Sequence, residues 1–237
     1  VSLTIRKPSR RRLSLEDFQA GGLFDHTTAA REDEVDETDA ELMRLRDQGD
    51  WPAFFRQAVQ ARRNILVSGA TGSGKTTFAK GLVGLIPLEE RLLTIEDTRE
   101  LAAPHRNIVH MVYSKDGQGL ASVGPKALLE SALRMRPDRI LLQELRDGSA
   151  FFFLRNVNSG HPGSITTIHA DSTALAFEQL TLLVRESEGG RDLPRDDIRA
   201  LLHRLIDVVV QMKKTADGRY RMTEVWHEPL RKRRAGA

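Results

Sequence analysis

Gly69-Ala70-Thr71-Gly72-Ser73-Gly74-Lys75-Thr76 follows the pattern G-x-x-x-x-G-K-[ST] without a gap, and its neighbours decide how it folds. Upstream, Asn64-Ile65-Leu66-Val67-Ser68 is a short apolar run that reads as a buried strand; downstream, Thr77-Phe78-Ala79-Lys80-Gly81-Leu82-Val83 opens a helix. In a succession of strand, glycine loop and helix, the glycines let backbone N–H groups turn inward around a pyrophosphate. The helix N-terminus brings its positive dipole end to the same anion. Residues Gly69, Ala70, Thr71, Gly72, Ser73, Gly74, Lys75 and Thr76, with Thr77 behind them, are therefore candidates to cradle the phosphates of ATP. Lys75 is placed to reach the β and γ phosphates, and the Thr76 hydroxyl to ligate Mg²⁺.

Outward from the loop, apolar segments alternate between strand and helix. Trp51, Phe54, Phe55 and Val59 recur at helical spacing and lead into the strand before the loop. After the loop the pattern predicts strands over 91–95 and 107–113, a helix over 126–135 and a strand over 139–142. A helix over 150–157, a strand over 164–168 and a helix over 174–185 follow. Residues 207–212 and 220–226, around Ala216-Asp217-Gly218, read as a hairpin. Such alternation predicts an α/β domain over 51–237 with a largely parallel central sheet.

The first 50 residues read differently. Val1-Ser2-Leu3-Thr4-Ile5-Arg6 alternates like a strand, and a lone strand is not stable, so further chain is expected upstream. Ser14 followed by Glu16 and Asp17 marks a helix start ahead of the Gly21-Gly22 stop. The run Arg31-Glu32-Asp33-Glu34-Val35-Asp36-Glu37-Thr38-Asp39 is acidic and nearly free of apolar residues. Residues 31–50 therefore read as an acidic linker, the alternative being the polar first turn of a following helix.

The 237-residue chain has an ordinary soluble composition, with no apolar run of bilayer length and no signal-peptide pattern, so a cytoplasmic location is expected. It has no cysteine, which excludes disulfides and thiolate metal sites. The net charge of +3 is uneven. Arg6-Lys7 with Arg10-Arg11-Arg12, and Arg231-Lys232-Arg233-Arg234, are either solvated ends or contacts for acidic headgroups or nucleic acid. No basic stripe is interleaved with aromatics, which disfavours direct nucleic-acid binding.

Three further segments end strands on the expected ligand side of an open α/β sheet. Leu93-Thr94-Ile95-Glu96-Asp97 ends in adjacent carboxylates, suited to a metal and an attacking water or merely to a charged loop. Arg139-Ile140-Leu141-Leu142-Gln143-Glu144 is an apolar strand ending in an acid, the form of a Walker B strand. Glu144 would hold or activate the lytic water, directly or through the metal shell. Ser164-Ile165-Thr166-Thr167-Ile168-His169 ends in a histidine. His105, His110 and His161 read as structural, and the histidines lack zinc-ligand spacing.

In this order, the four segments resemble the secretion ATPase superfamily of type II and type IV secretion and type IV pili, whose marks are Walker A, an acidic box, Walker B and a histidine box. The likeness is closest to the hexameric traffic ATPases of type IV secretion systems, the VirB-eleven family. It is carried also by Val1-Ser2-Leu3-Thr4-Ile5-Arg6-Lys7-Pro8-Ser9, Arg134-Met135-Arg136-Pro137-Asp138-Arg139-Ile140 and Ser159-Gly160-His161-Pro162-Gly163-Ser164-Ile165. It implies a RecA-like P-loop NTPase core preceded, over residues 1–30, by the last strand and helix of a truncated N-terminal domain. It further implies catalytic roles for Lys75, Glu96, Glu144 and His169, with Glu144 the general base and His169 a γ-phosphate sensor. Arg6 is implied to reach nucleotide across a domain cleft, and Arg99 is a weaker candidate.

The implied assembly is a Mg²⁺-dependent homohexamer on the cytoplasmic face of the bacterial inner membrane. Its partners would be other type IV secretion ATPases and inner-membrane components, with peripheral membrane contact. Gln143 stands where the superfamily usually has Gly, and the four-cysteine zinc insertion of many type II relatives is missing. A pilus or type II secretion motor, a nucleotide-gated scaffold and a nucleic-acid translocase are the rival readings.

Overall fold

The computed structural model describes residues 4–5, 7, 12–27, 35–114, 123–158 and 160–229. Its strands are β1 (Ile65–Gly69), β2 (Leu92–Glu96), β3 (Ile108–Val112), β4 (Arg139–Leu142), β5 (Ile165–Ile168), β6 (Val208–Lys214) and β7 (Tyr220–Trp226). Its helices are α1 (Leu15–Ala20), α2 (Glu37–Gln48), α3 (Trp51–Gln60), α4 (Lys75–Val83), α5 (Pro125–Ala132), α6 (Ser149–Asn158), α7 (Thr173–Glu186) and α8 (Arg195–Leu205).

β1 pairs in parallel with β5 and β6, and β2 pairs in parallel with β3 and β4. The two sets meet at β4 and β5. There Glu144 bridges Thr167, the Leu145 N–H donates to Thr167 O at 2.9 Å, and the Ser164 and Thr167 hydroxyls donate to the Ile140 and Gln143 carbonyls. The order across the molecule is thus β3-β2-β4-β5-β1-β6-β7. Among the described strands only β7 is antiparallel, as the hairpin partner of β6. The expected parallel sheet and C-terminal hairpin are both present.

β1, β2, β4 and β5 are buried at every position, which is why they read as unbroken apolar runs in place of alternating ones. Their side chains nevertheless divide between two cores. Leu66, Leu93, Ile140 and Val209 pack on one face with residues of α5 to α8, while Ile65, Val67, Leu92, Leu141, Val208 and Val210 pack on the other with α2, α3 and α4. Helices thus cover both faces of the sheet, and its parallel strands deliver their carboxyl ends to one side.

The expected linker over 31–50 is corrected from Val35 onward. Asp36 caps α2 by accepting from the Asp39 N–H at 2.7 Å, and Gly49 closes the helix in the left-handed conformation at φ 71°. Leu42 and Leu45 are buried in the same core as Phe54 and Phe55. Arg63 ties the helix start down, with Nη2 2.8 Å from Asp36 and 2.9 Å from Asp39, and Arg46 donates to the His227 carbonyl near its end. Asp36, Glu37 and Asp39 are a helix cap and first turn, as the alternative reading had it, while residues 31–34 lie outside the described residues.

α1 forms where expected, with Ser14 and Asp17 in a reciprocal capping box. Thr4 and Ile5, by contrast, lie in no regular element, so the strand expected over 1–6 does not form at those positions. Arg6 and the basic run 231–234 lie outside the described residues. No helix among the described residues is long and apolar enough to cross a membrane.

Candidate functional site

The glycine loop sits between the end of β1 and the start of α4, and its geometry requires its glycines. Gly72 and Gly74 have φ of 73° and 88°, the left-handed region. At Gly69 a Cβ would collide with the Ser73 hydroxyl and lie 2.5 Å from the Met212 carbonyl, too close for any side chain. Gly74 caps α4 without a side-chain hydrogen bond, leaving the first-turn amides for an incoming acceptor. Beside the loop opens a cavity of about 820 Å³ whose walls include Phe55, Arg56, Thr77, Phe78, Leu82 and Tyr220. Its size and apolar walls suit a nucleoside. Thr76 also lines it.

Lys75, at the first position of α4, is buried, with its ammonium 3.0 Å from the Ala70 carbonyl. Burial pushes its pKa down and Arg146 adds to this, while the carboxylate of Glu144 pulls it back up. A buried lysine with one backbone acceptor has spare donors for an anion.

His169 follows the last residue of β5, and the register Ser68↔Ile168 carries it alongside Gly69. Its Nδ1 lies 3.4 Å from Lys75 Nζ and its Nε2 2.6 Å from Glu144 Oε1. Nδ1 thus faces the ammonium and Nε2 the carboxylate. Lys75, His169 and Glu144, from α4, β5 and the end of β4, therefore form one contiguous chain of contacts.

Beyond β4 the chain bends at Gln143, Glu144 bridges Thr167 of β5, and the next residue, Leu145, is buried in the core with Arg146 following it. The Arg146 guanidinium binds Glu144 Oε2 through both Nε and Nη2, and its Nη1 lies 3.2 Å from Asp97 Oδ2. Arg146 was not foreseen from sequence; the available signal was its position two residues after a strand-end acid.

Glu96 is placed differently from its three companions. It is wholly buried at the end of β2. Oε1 accepts from the Thr94 hydroxyl at 2.6 Å and faces His110 Nδ1 at 3.2 Å, while Oε2 accepts from the Glu100 and Leu101 amides, both at 2.7 Å. Burial alone would raise its pKa, but these hydrogen bonds outweigh burial and lower it. Glu96 thus shapes the loop 97–101, and the carboxylate this loop contributes to the network around Glu144 is that of Asp97. Arg99 is exposed on the same loop. His105 and His110 are held in structural contacts, with the Pro87 carbonyl and with Glu96. Among the described residues no group of three His, Asp or Glu side chains could hold a metal by itself.

A family model described as "Type II/IV secretion system protein" matches residues 38–227. The chain is 56% identical over 243 residues to the type IV secretion system protein VirB11 of Bartonella henselae, an alignment covering 98% of this chain and 68% of that protein. The crystal structure of the VirB11 ATPase from the Brucella suis type IV secretion system, in complex with sulphate, superposes with a TM-score of 0.87 at 44% identity. It covers 97% of this chain and 69% of the other. The Legionella pneumophila ATPase DotB shares the fold at a TM-score of 0.56 and 21% identity, over 80% of this chain and 55% of that one. The α/β layers described above are those of a RecA-like P-loop ATPase, and the chain belongs to the VirB11 family of type IV secretion ATPases.

Proposed function

We propose that the chain is the hydrolytic part of a Mg²⁺-dependent, homohexameric motor that powers pilus assembly and substrate export at the cytoplasmic face of the inner membrane. Other secretion ATPases and inner-membrane components would be its partners. The observation that carries the hydrolytic reading is the contact chain Lys75–His169–Glu144 at the mouth of the glycine loop. ATP places its phosphates on the loop 69–76 and the α4 amides, with Lys75 on the β and γ phosphates and the nucleoside in the adjoining cavity. The Thr76 hydroxyl fits Mg²⁺, a hard cation that prefers oxygen and takes most of its ligands from phosphate and water. Bound there, the ion would neutralise charge developing on the phosphate oxygens.

Glu144 accepts a proton from water as the water oxygen bonds to the γ phosphorus. The bond from that phosphorus to the β–γ bridging oxygen breaks, and ADP and phosphate leave. His169, touching both Lys75 and Glu144, couples the occupancy of the loop to the base. Glu96 acts by positioning the loop that carries Asp97. Arg6 would reach the nucleotide from the N-terminal side.

The test is steady-state phosphate release by the full-length protein, with ring mass measured in parallel. We expect Lys75→Ala to lose nucleotide binding, Glu144→Gln to bind ATP while turnover falls by at least about a hundredfold, and His169→Ala to bind with reduced turnover. Rings that bind ATP without turnover in the wild type would replace the motor by a nucleotide-gated scaffold. Loss of binding in Glu144→Gln would remove Glu144 as the base.

A further inference from the structure

Resting on the reading of Glu144 as the base, we infer that Arg146 is a positioning residue that holds Glu144 until a γ-phosphate arrives, then transfers its guanidinium to that phosphate. The basis is how the carboxylate is held. Both guanidinium nitrogens Nε and Nη2 meet Oε2, and Oε1 faces His169 at 2.6 Å. A carboxylate gripped through one oxygen, with an imidazole crowded against the other, is not free to turn towards a water; release needs a stronger competitor for the guanidinium.

The second observation is the crowding of cations. Arg146 stands close enough to Lys75 for its charge to depress the lysine's pKa, although like charges repel. Lys75 is buried and Arg146 is partly exposed at 41%, so of the two the arginine has room to move. Two cations gathered beside an amide-lined loop are an arrangement completed by a polyanion. A terminal phosphate carries more charge than one carboxylate and accepts a planar fork through two oxygens, so it outcompetes Glu144 for the arginine.

Asp97 completes the device. With Nη1 3.2 Å away it keeps the guanidinium at the site mouth when Nε and Nη2 leave Glu144, so the swing is a pivot about one contact. ADP, lacking the γ-phosphate, offers nothing to pivot towards. Arg146 thereby ties base release to ATP and leaves Glu144 restrained in the ADP and empty states.

The test is a double-mutant cycle in the full-length protein. Affinities for a non-hydrolysable ATP analogue and for ADP are measured by calorimetry for wild type, Arg146→Ala, Glu144→Gln and the double variant. Arg146→Ala is expected to weaken the analogue about tenfold and ADP by less than about twofold, whereas a purely structural brace would weaken both alike. Glu144→Gln frees the guanidinium and is expected to tighten the analogue about tenfold; with Arg146→Ala present this gain is expected to shrink below about twofold. Equal losses for analogue and ADP in Arg146→Ala, or a Glu144→Gln gain that survives without the arginine, would overturn the inference while leaving ATP hydrolysis intact. A wild type that neither binds the analogue nor hydrolyses ATP would overturn the underlying reading as well.

Discussion

Glu96 and Asp97 are neighbours in sequence with opposite duties. In an extended strand consecutive side chains face opposite ways, so at the end of β2 one carboxylate turns into the protein and the next towards the strand ends. Sequence alone shows two acids at a strand end and cannot say which faces in; that depends on which donors the loop 97–101 and the paired strand β3 present. Glu96→Ala leaves two amides and a hydroxyl without their acceptor, and we expect a loss of about 3 kcal/mol in urea unfolding. A change below about 0.5 kcal/mol would return Glu96 to a purely catalytic role. The pH dependence has a definite sign. Because folding lowers the Glu96 pKa from its ordinary 4.5, its contribution is complete above that value and is lost as pH falls through the folded value. Glu96→Gln should therefore flatten the acid limb of the stability profile relative to wild type, measured by melting from neutral pH downward.

Among the elements, those around the glycine loop were legible because buried parallel strands advertise themselves as short apolar runs, and each run ends at a turn or an acid. α2 and α8 were not. In α2 the acids Asp36, Glu37 and Asp39 dominate the composition of the N-terminal turn, and its core contacts rest on few apolar positions, Leu42 and Leu45 among them. α8 similarly buries Ile198 and Leu202 within a run otherwise rich in charge. A helix that shows the core only one narrow stripe is outvoted by its solvent face in any compositional reading. The packing makes α2 testable: Leu42 is fully buried against the core that holds Phe54, Phe55 and the strands. Leu42→Ala should cost about 3 kcal/mol in chemical unfolding, in the range for a buried leucine, whereas a linker residue would cost next to nothing. The site was legible in the same uneven way. Lys75 opens the helix after β1, and Glu144 and His169 lie just beyond β4 and β5, so their convergence followed from topology. Arg146 and Asp97 meet across the ends of β4 and β2, and nothing in a linear reading pairs them.

At the scale of the whole molecule, the unit that folds and the unit that works need not coincide. Both faces of the sheet are covered by helices drawn from residues 37–205, and α2 is fastened to the rest by Arg63 at one end and Arg46 at the other. A chain starting at Val35 therefore contains both hydrophobic cores, the glycine loop and the Lys75–His169–Glu144 contacts. The VirB11 relatives are longer than this chain, which spans 68% of the Bartonella henselae protein. In the motor proposed above, ring contacts and Arg6 come from outside that unit. We expect residues 35–237 to melt in one cooperative transition and to bind ATP. Their phosphate release should be at least about tenfold slower than that of the full-length protein, in the range lost when a transition-state cation is absent. Light scattering fixes the mass of each species alongside the kinetics. A monomeric 35–237 that turns over at the full-length rate would show that neither the ring nor Arg6 contributes to hydrolysis, and the motor would have to be rebuilt around a self-sufficient site. Failure of 35–237 to fold while the longer chain folds would instead place an essential part of the core before Val35, against the packing seen for α2 and α3.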